Sequence, residues 1–292
     1  MGPRLGSRKP LVAVWDGIRC PLTYDFVVFA GVAKSVAGDR PLHFLFVPGP
    51  NGEISKPGKF PADEQEYRFR HIVLEAAPLF GASFTVCPDR EFARTFLTGD
   101  VFPKGYTLDA PVFDYHTDLP VRLIKAGGKP TAPRPSAKAL KYVKSYLGER
   151  KPLTVTLRHS RNPARNSGDG WVQFADESGL DVVFVPDTDQ AFRNWPDFVF
   201  PQAAANMDIR LALYHLSALN CFTSNGCCAL LHFSDVPYLS FKAGGDLTEK
   251  HWSELMIPYG TQPNFAASNQ RWIWGPDTIE NIRKEVADGI AR

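Results

Sequence analysis

Residues 153–167 have the sequence Leu153-Thr-Val-Thr-Leu-Arg-His-Ser-Arg-Asn-Pro-Ala-Arg-Asn-Ser167, and they join a strand pattern to a cluster of positive charges. Apolar and threonine residues alternate over 153–157, which is typical of a β-strand. Four basic side chains follow before the first acidic residue, Asp169: Arg158, His159, Arg161 and Arg165. A strand that runs into guanidinium groups places them at the carboxyl edge of a sheet, where open α/β sheets bind ligands.

The three arginines of this stretch predict an anion site. A guanidinium group pairs bidentately with phosphate oxygens, so Arg158, Arg161 and Arg165 together suit a diphosphate. Asn166 follows them and offers an amide to the same ligand. The alternative is a solvated basic loop with no ligand.

The composition bounds the size and the class of the protein. A chain of 292 residues is long enough for two domains. Its net charge is only +2, so no global field points to nucleic acid or to an acidic membrane as a partner. Any anion site is therefore expected to be local.

The cysteines and the N-terminus indicate a cytoplasmic protein. Five cysteines form an odd set without a C-x-x-C pair, which favours buried thiols in a reducing compartment. The histidines are scattered, so no metal site is expected. The apolar run 11–15 is too short for a signal peptide or a membrane span.

The order of predicted elements indicates an α/β fold with two Rossmann-like domains that face each other across a cleft. A Pro/Gly-rich linker at 125–135 divides the chain into an N-terminal domain, 1–130, and a C-terminal domain, 136–292. In the first half we predict strands at 11–15, 42–47 and 84–87 and helices at 24–36, 62–77 and 90–96. In the second half we predict strands at 153–157, 181–185, 221–223 and 238–241 and helices at 137–147, 171–178, 206–219, 227–233 and from Asp277 onward.

A second anion-binding element is predicted at Thr223-Ser-Asn-Gly226. This turn follows a predicted strand and precedes a predicted helix, so the backbone N–H groups of Ser224, Asn225 and Gly226 can form a cradle for an anion. The chain has neither a P-loop nor a G-x-G-x-x-G motif. The alternative is an ordinary turn between a strand and a helix.

Two Rossmann-like halves, a joining linker and a charged cradle in the second half resemble GT-B glycosyltransferases. The closest branch is the bacterial heptosyltransferase-like and fucosyltransferase-like one, whose second domain similarly begins with a helix, a strand and an arginine-containing loop. The likeness covers roughly 136–242, and the first half resembles the family only in architecture. Two features differ from the family. The residues after His159-Ser-Arg161 are Asn-Pro, which breaks the His-x-Arg-x-x-Asp pattern, and the glutamate that grips the donor ribose has no clear counterpart.

The resemblance implies sugar transfer from a nucleotide-sugar donor, such as a GDP- or UDP-sugar, to the hydroxyl of a glycan or lipid-linked acceptor, without a metal or other cofactor. The donor is expected on the second half, where Asp187 and Thr188 also end a strand at the ligand edge and can touch the nucleotide; a simple turn after Pro186 is the alternative. The acceptor is expected on the first half. The expected catalytic residues are Arg158, on the donor side, and Asp16, on the acceptor side. Asp16 is the best-placed candidate for the catalytic base there, and the next candidates are Glu64, Glu66 and His71. The alternative for Asp16 is that it caps a turn.

Other interpretations are kept open. His159, His215 and Trp171 are expected to be structural. A nucleotide-sugar epimerase or hydrolase of the same fold is the main enzyme alternative, and a non-catalytic nucleotide-sugar-binding protein is the alternative of another class.

Overall fold

The N-terminal half is built on a four-stranded parallel sheet. A computed structural model of the chain describes residues 9–58, 60–111, 118–160, 163–191, 199–243, 253 and 256–291. The strand order is β3-β2-β1-β4. The strands are β1 (Leu11–Asp16), β2 (Leu42–Val47), β3 (Ser83–Val86) and β4 (Val101–Phe102). The helices are α1 (Asp25–Ala37), α2 (Ala62–Arg68), a π-helical turn (Phe69–Leu74), a 3-10 turn (Ala77–Phe80), α3 (Arg90–Arg94) and α4 (Asp118–Lys125).

The C-terminal half is built on a five-stranded parallel sheet of order β6-β5-β7-β8-β9. Its strands are β5 (Leu153–Thr156), β6 (Val182–Val185), β7 (Leu219–Thr223), β8 (Tyr238–Phe241) and β9 (Gln270–Trp272). Its α-helices are α5 (Ala137–Leu147), α6 (Gly170–Ser178), α7 (Gln202–Ala205), α8 (Met207–Leu216) and α9 (Ile279–Ile290). In the described part of this half, 3-10 turns lie at Pro163–Arg165, Thr188–Gln190 and Gly226–Leu230.

The predicted α/β class with parallel sheets is confirmed. The segment between α4 and α5, which contains the predicted linker, has neither helix nor strand. Within the described residues, no strand pairing joins the sheet before it to the sheet after it. Helix α5 has the predicted bounds, and its N-cap, Ser136, accepts a hydrogen bond from Ala139 N.

Several predicted helices differ from the structure. Those expected over 90–96 and 206–219 end early, at Arg94 and Leu216, and Leu219 already begins β7. The helix expected over 62–77 changes from α to π geometry at Phe69. The helix expected over 227–233 is a five-residue 3-10 turn. The final helix begins at Ile279 and is capped by Thr278, whose hydroxyl accepts a hydrogen bond from Asn281 N. Asp277 is thereby left free for a buried contact outside the helix.

One apolar cluster extends across both halves. It contains Trp15 and Phe44 from the first sheet and Phe222 and Tyr238 from the second. Helix α1 lies between them, and most of its residues are buried. A Cβ added to Gly31 on this helix would lie 2.8 Å from the Thr131 carbonyl oxygen and 3.0 Å from the Phe233 ring, so the helix approaches the second half as closely as glycine allows.

His232 is a buried histidine that packs next to this apolar cluster. Aromatic rings surround it, from Phe233, Tyr238, Phe265 and Trp272. Neither ring nitrogen has a hydrogen-bond partner among the described residues. Burial therefore lowers the pKa of His232 from 6.5 to about 3.

We expect this histidine to make the protein acid-sensitive. Because the folded pKa lies below the unfolded one, the unfolded chain takes up the proton first, and stability falls as the pH drops from 6.5 towards about 3. This histidine lowers the free energy of unfolding by at most ~1.4 kcal/mol per pH unit. His232→Phe should flatten the profile, measured by urea unfolding at about pH 7.5 and about pH 5. A variant that loses as much stability as the wild type over that interval would contradict the prediction.

Candidate functional site

The carboxyl edge of the second sheet brings together most of the predicted ligand-binding residues. Arg158 follows β5, Asp187 follows β6, Ser224 follows β7 and Lys242 follows β8. Because all the strands are parallel, these residues emerge at the same edge of the sheet. The first three were predicted from the sequence, and Lys242 was not.

The loop after β5 is closed at its base by Ser167. The Ser167 hydroxyl accepts a hydrogen bond from Arg158 N (2.9 Å), and Ser167 N donates to the Arg158 carbonyl (3.1 Å). The same hydroxyl donates to Thr223 Oγ1 (3.1 Å), which ties the loop to the end of β7. The backbone of Arg158 is therefore fixed on both sides.

The Arg158 side chain has no hydrogen bond and no ion pair within the part of the chain that the structure describes. Burial lowers the pKa of its guanidinium, and the like charge of Arg165 lowers it further, while Asp187 acts in the opposite direction. A half-buried cation beside a second cation is electrostatically unfavourable until an anion joins it. Arg161 lies outside the described residues.

Asn166 contacts the protein through its side-chain amide oxygen and its backbone carbonyl. Its Oδ1 accepts hydrogen bonds from Ser160 N (2.6 Å) and Ser160 Oγ (3.0 Å), and its carbonyl accepts one from Lys242 Nζ (2.8 Å). Asn166 thus stabilises the arginine loop, and its contact with a ligand stays a prediction.

Asp187 and Thr188 also have protein partners. The Asp187 carboxylate accepts hydrogen bonds from His159 N (3.0 Å) and Thr188 N (2.8 Å), so it joins the loops after β5 and β6. Thr188 is buried between the halves. Its hydroxyl meets Tyr24 Oη at 3.0 Å, and its carbonyl accepts a hydrogen bond from Tyr67 Oη (2.6 Å).

The turn after β7 combines strain with an unpaired acceptor. Ser224 has a φ of 37°, in the left-handed region that a residue with a side chain rarely adopts. Asn225 is buried, and its Oδ1 has no hydrogen-bond partner among the described residues. Gly226 packs under Tyr24: an added Cβ would lie 2.9 Å from the tyrosine side chain.

This turn is a weaker anion cradle than the sequence suggested. The helix that follows it is a five-residue 3-10 turn, too short for a strong helix dipole. Its second and third residues, Cys227 and Cys228, are buried. The guanidinium of Arg158 is therefore the principal candidate for anion binding at this edge.

Asp277 is the centre of a buried network that sequence reasoning missed. Its Oδ2 accepts hydrogen bonds from Thr223 Oγ1 (2.9 Å), Gly168 N (3.1 Å) and Trp171 Nε1 (3.1 Å), and its Oδ1 pairs with Lys242 Nζ (2.8 Å). Burial alone would raise the pKa of Asp277, but the Lys242 ammonium and the other donors outweigh burial and hold the pKa below its usual value. This network fixes the loop that carries Arg158 to the ends of β7 and β8.

Arg210, like Lys242 and Asp277, is a residue that sequence reasoning missed. It is fully buried on α8. Its Nε donates to the Ala203 carbonyl (2.7 Å), and its Nη atoms contact Cys227 Sγ and the Pro186 carbonyl (3.4 Å). The side chain therefore connects the segment after β6 to the turn after β7. An amphipathic helix pattern alone gives no sign that the one arginine of this helix is buried.

Asp16 lies at the carboxyl end of β1, as predicted, but it is enclosed. Its oxygens accept hydrogen bonds from Arg90 Nη1 (3.2 Å) and Nη2 (3.1 Å), Tyr106 Oη (2.6 Å) and Ile18 N (3.0 Å). Burial, followed by the Asp16 carboxylate, raises the pKa of the Tyr106 hydroxyl, which therefore stays protonated as a donor. The carboxylate is 2% exposed, so this geometry suits a structural ion pair.

The other acid–base candidates of the first half also have protein partners. Glu64 pairs with Arg68 (2.5 Å) and Glu66 with Arg70 (2.6 Å), each one helical turn apart. His71 Nδ1 lies 2.9 Å from the Ala205 carbonyl, at the boundary with the second half.

The remaining sequence expectations concern structural residues, metals and membranes. Trp171 is fully buried, whereas His159 and His215 are exposed. No group of three or more His, Cys, Asp or Glu side chains with metal-binding geometry occurs in the described ranges. No helix in those ranges has the length and apolar character needed to cross a bilayer.

Comparison with known proteins gives only distant structural likeness. No protein-family profile and no curated protein matches this sequence. Heptosyltransferase II of E. coli is 13% identical with a TM-score of 0.44, and the alignment covers 97% of this chain and 99% of that one. A glycosyl transferase family 9 protein from Veillonella parvula is 10% identical with a TM-score of 0.46, over 97% and 92% of the two chains. E. coli heptosyltransferase WaaC, solved with ADP-2-deoxy-2-fluoro heptose, is 11% identical with a TM-score of 0.43, over 96% and 99%. At these identities and TM-scores, the likeness assigns neither a family nor an activity to this chain.

Proposed function

We propose that the protein is a glycosyltransferase that binds the diphosphate of a nucleotide-sugar, such as a GDP- or UDP-sugar, at the carboxyl edge of its second sheet. The observation that carries the proposal is the Arg158 guanidinium, which is half-buried, close to Arg165 and without a protein partner among the described residues. A diphosphate bound there would relieve the repulsion between the two cations and accept bidentate hydrogen bonds.

The proposed chemistry uses this positive charge to stabilise the leaving group. When the bond between the sugar and the diphosphate breaks, negative charge grows on the nucleoside diphosphate. Ser167 holds the backbone of Arg158 before the ligand arrives, so the point from which the side chain extends is already fixed. Arg161 and Arg165 are proposed to assist it. We propose that the acceptor, a hydroxyl of a glycan or lipid-linked sugar, lies on the first half.

The second candidate function is nucleotide-sugar binding without transfer. The enclosure of Asp16 favours it, because a carboxylate that already accepts hydrogen bonds from Arg90, Tyr106 and Ile18 is poorly placed to take a proton from an acceptor. Asp16 as the catalytic base therefore stays a prediction.

The five free cysteines are all buried, which suits action in the reducing cytoplasm.

The proposal is tested by thermal shift with a panel of ADP-, GDP-, UDP- and CMP-sugars. A ligand at a hundred times its dissociation constant stabilises the folded protein by about 2.7 kcal/mol. We expect at least one donor to raise the melting temperature of the wild type and to have a smaller effect on Arg158→Ala. Donor turnover with and without acceptor then separates transfer, hydrolysis or epimerisation, and binding alone. If no donor shifts the wild type, the proposal fails.

We expect the activity to persist in EDTA. The proposed mechanism assigns charge neutralisation to arginine side chains, so a divalent ion has no required role in it. The measurement compares turnover of the nucleotide-sugar selected by the thermal-shift panel, once with EDTA and once with added manganese. If EDTA abolishes turnover and manganese restores it, a metal ion rather than the arginines neutralises the charge of the leaving group, and the prediction is wrong.

A further inference from the structure

Arg210 is a fully buried cation whose hydrogen bonds, within the described residues, all go to neutral groups. The acceptors are three backbone carbonyl groups, a thiol and a hydroxyl: those of Ala203, Ala204 and Pro186, Cys227 Sγ and Thr188 Oγ1. A guanidinium group stays protonated in a protein, and a buried charge is normally paired with an opposite charge. Arg210 therefore places a positive charge inside the second half without a carboxylate in direct contact.

The ionisable groups around Arg210 leave most of this charge uncompensated. Burial raises the pKa of the Cys227 thiol and outweighs the opposite effect of Arg210, so the thiol stays protonated and neutral. The carboxylates of Asp187 and Glu75 act on Arg210 from a distance. Asp187 also acts on Arg158, so this one carboxylate is shared between two guanidinium groups.

The contacts of Arg210 place it directly behind the candidate anion site. Its Nη1 contacts Cys227, the residue after Gly226, and so lies against the turn that follows β7. Its Nη2 lies 3.4 Å from the Pro186 carbonyl, in the loop after β6. The charges of Arg158 and Arg210 both act on the Cys227 thiol. The two guanidinium groups thus lie near one side chain, and an anion bound to Arg158 lies in the field of both.

We propose that the buried charge of Arg210 strengthens the binding of the donor diphosphate at Arg158 without touching it. The inference rests on the proposed function, and it adds a second, fixed source of positive charge to the anion site. A charge in the protein interior is screened by salt much less than a charge on the surface. Five hydrogen bonds hold the guanidinium group, so its field is already oriented before the ligand binds.

The test removes the charge of Arg210 and then restores it. Dissociation constants of inorganic diphosphate are measured by calorimetry for the wild type and for Arg210→Met, Arg210→Gln and Arg210→Lys. The measurements are made at about pH 6, which favours the charged form of a buried lysine. Arg210→Gln keeps a donor for the surrounding carbonyl groups and takes the place of Arg210→Met if that variant does not fold. Circular dichroism checks each variant.

Two further variants serve as controls. Arg271→Met is the matched control, because Arg271 is an arginine of the same half whose charge is already paired with Glu285 (2.6 Å). Arg158→Ala tests the anion site itself, since it removes the group that is proposed to contact the diphosphate.

We expect both neutral variants, Arg210→Met and Arg210→Gln, to weaken the binding of inorganic diphosphate by roughly 10- to 30-fold. This is the effect of one unit charge on another at roughly 8–12 Å and an effective dielectric constant of about 20. Arg210→Lys should bind within about threefold of the wild type, and Arg271→Met within about twofold. Arg158→Ala should weaken binding by roughly 10- to 150-fold.

Other outcomes overturn one or both proposals. If the neutral variants bind diphosphate within about twofold of the wild type, the charge of Arg210 does not reach the ligand and the inference is wrong. If a folded Arg210→Lys binds no better than the neutral variants, the hydrogen bonds of Arg210 matter rather than its charge, and the inference is likewise wrong. In both cases the anion site stands when Arg158→Ala weakens binding. If Arg158→Ala leaves diphosphate binding unchanged, or if the wild type binds none, the anion site itself fails.

Discussion

Asp16→Ala is expected to lower the free energy of unfolding by about 3–5 kcal/mol, the usual result of removing one partner from a buried ion pair. The substitution leaves the Arg90 guanidinium, whose side chain is 17% exposed, without its carboxylate. It also removes the acceptor of the Tyr106 hydroxyl and of Ile18 N. The measurement is urea unfolding of the wild type and the variant at neutral pH.

A double substitution at Asp16 and Arg90 distinguishes a structural role of Asp16 from a catalytic one. Arg90→Met alone should also destabilise, because it leaves the Asp16 carboxylate buried without its cation. Asp16→Asn with Arg90→Met removes both charges and should recover part of the stability. If Asp16 is the base, the double variant stays inactive despite normal folding. A stable Asp16→Ala protein, within about 0.5 kcal/mol of the wild type, would mean that the ion pair adds little.

Arg158→Ala is expected to weaken donor binding by roughly 10- to 150-fold, since a charged hydrogen bond is worth about 1.5–3 kcal/mol. The effect should exceed that of Arg165→Ala, because Ser167 holds the Arg158 backbone on both sides. Arg158→Lys should recover only part of the affinity, since an ammonium group cannot make the bidentate contact. Calorimetry with the donor from the thermal-shift panel measures each variant, and Arg161→Ala completes the series.

The arginine series also has a decisive negative outcome. If the folded variants Arg158→Ala, Arg161→Ala and Arg165→Ala all bind the donor within about twofold of the wild type, the difference is well under 1 kcal/mol. The stretch 158–167 would then be a solvated loop, and the donor would bind elsewhere.

Local sequence patterns predicted most of the fold. The bounds of β2, α5 and β8 match the predictions, because each element has its own apolar pattern and is flanked by residues that end it. Strand β9 was not predicted, since its three residues owe their conformation to pairing with β8. The π-helical turn at Phe69–Leu74 was missed for a related reason: helix propensity does not distinguish α from π geometry.

The candidate site was less predictable than the fold. The position of Arg158 followed from the end of a strand, which is local information. The protein contacts of Asn166 and Thr188 reach Lys242 and Tyr24, far away in the sequence. The same holds for the network of Asp277, whose partners come from three separate segments. Spacing along one chain carries no signal for such contacts.

The apolar cluster that extends across both sheets has a consequence for how such a protein can be rebuilt by gene recombination. Whole halves can be exchanged between two proteins when each half has a separate hydrophobic core. Here Trp15 and Phe44 belong to the same cluster as Phe222 and Tyr238. A crossover in the segment between α4 and α5 would set foreign side chains against Phe222 and Tyr238. Exchange at this boundary is thus expected to disturb the shared interior, which the turn after β7 also joins through Cys227 and Cys228.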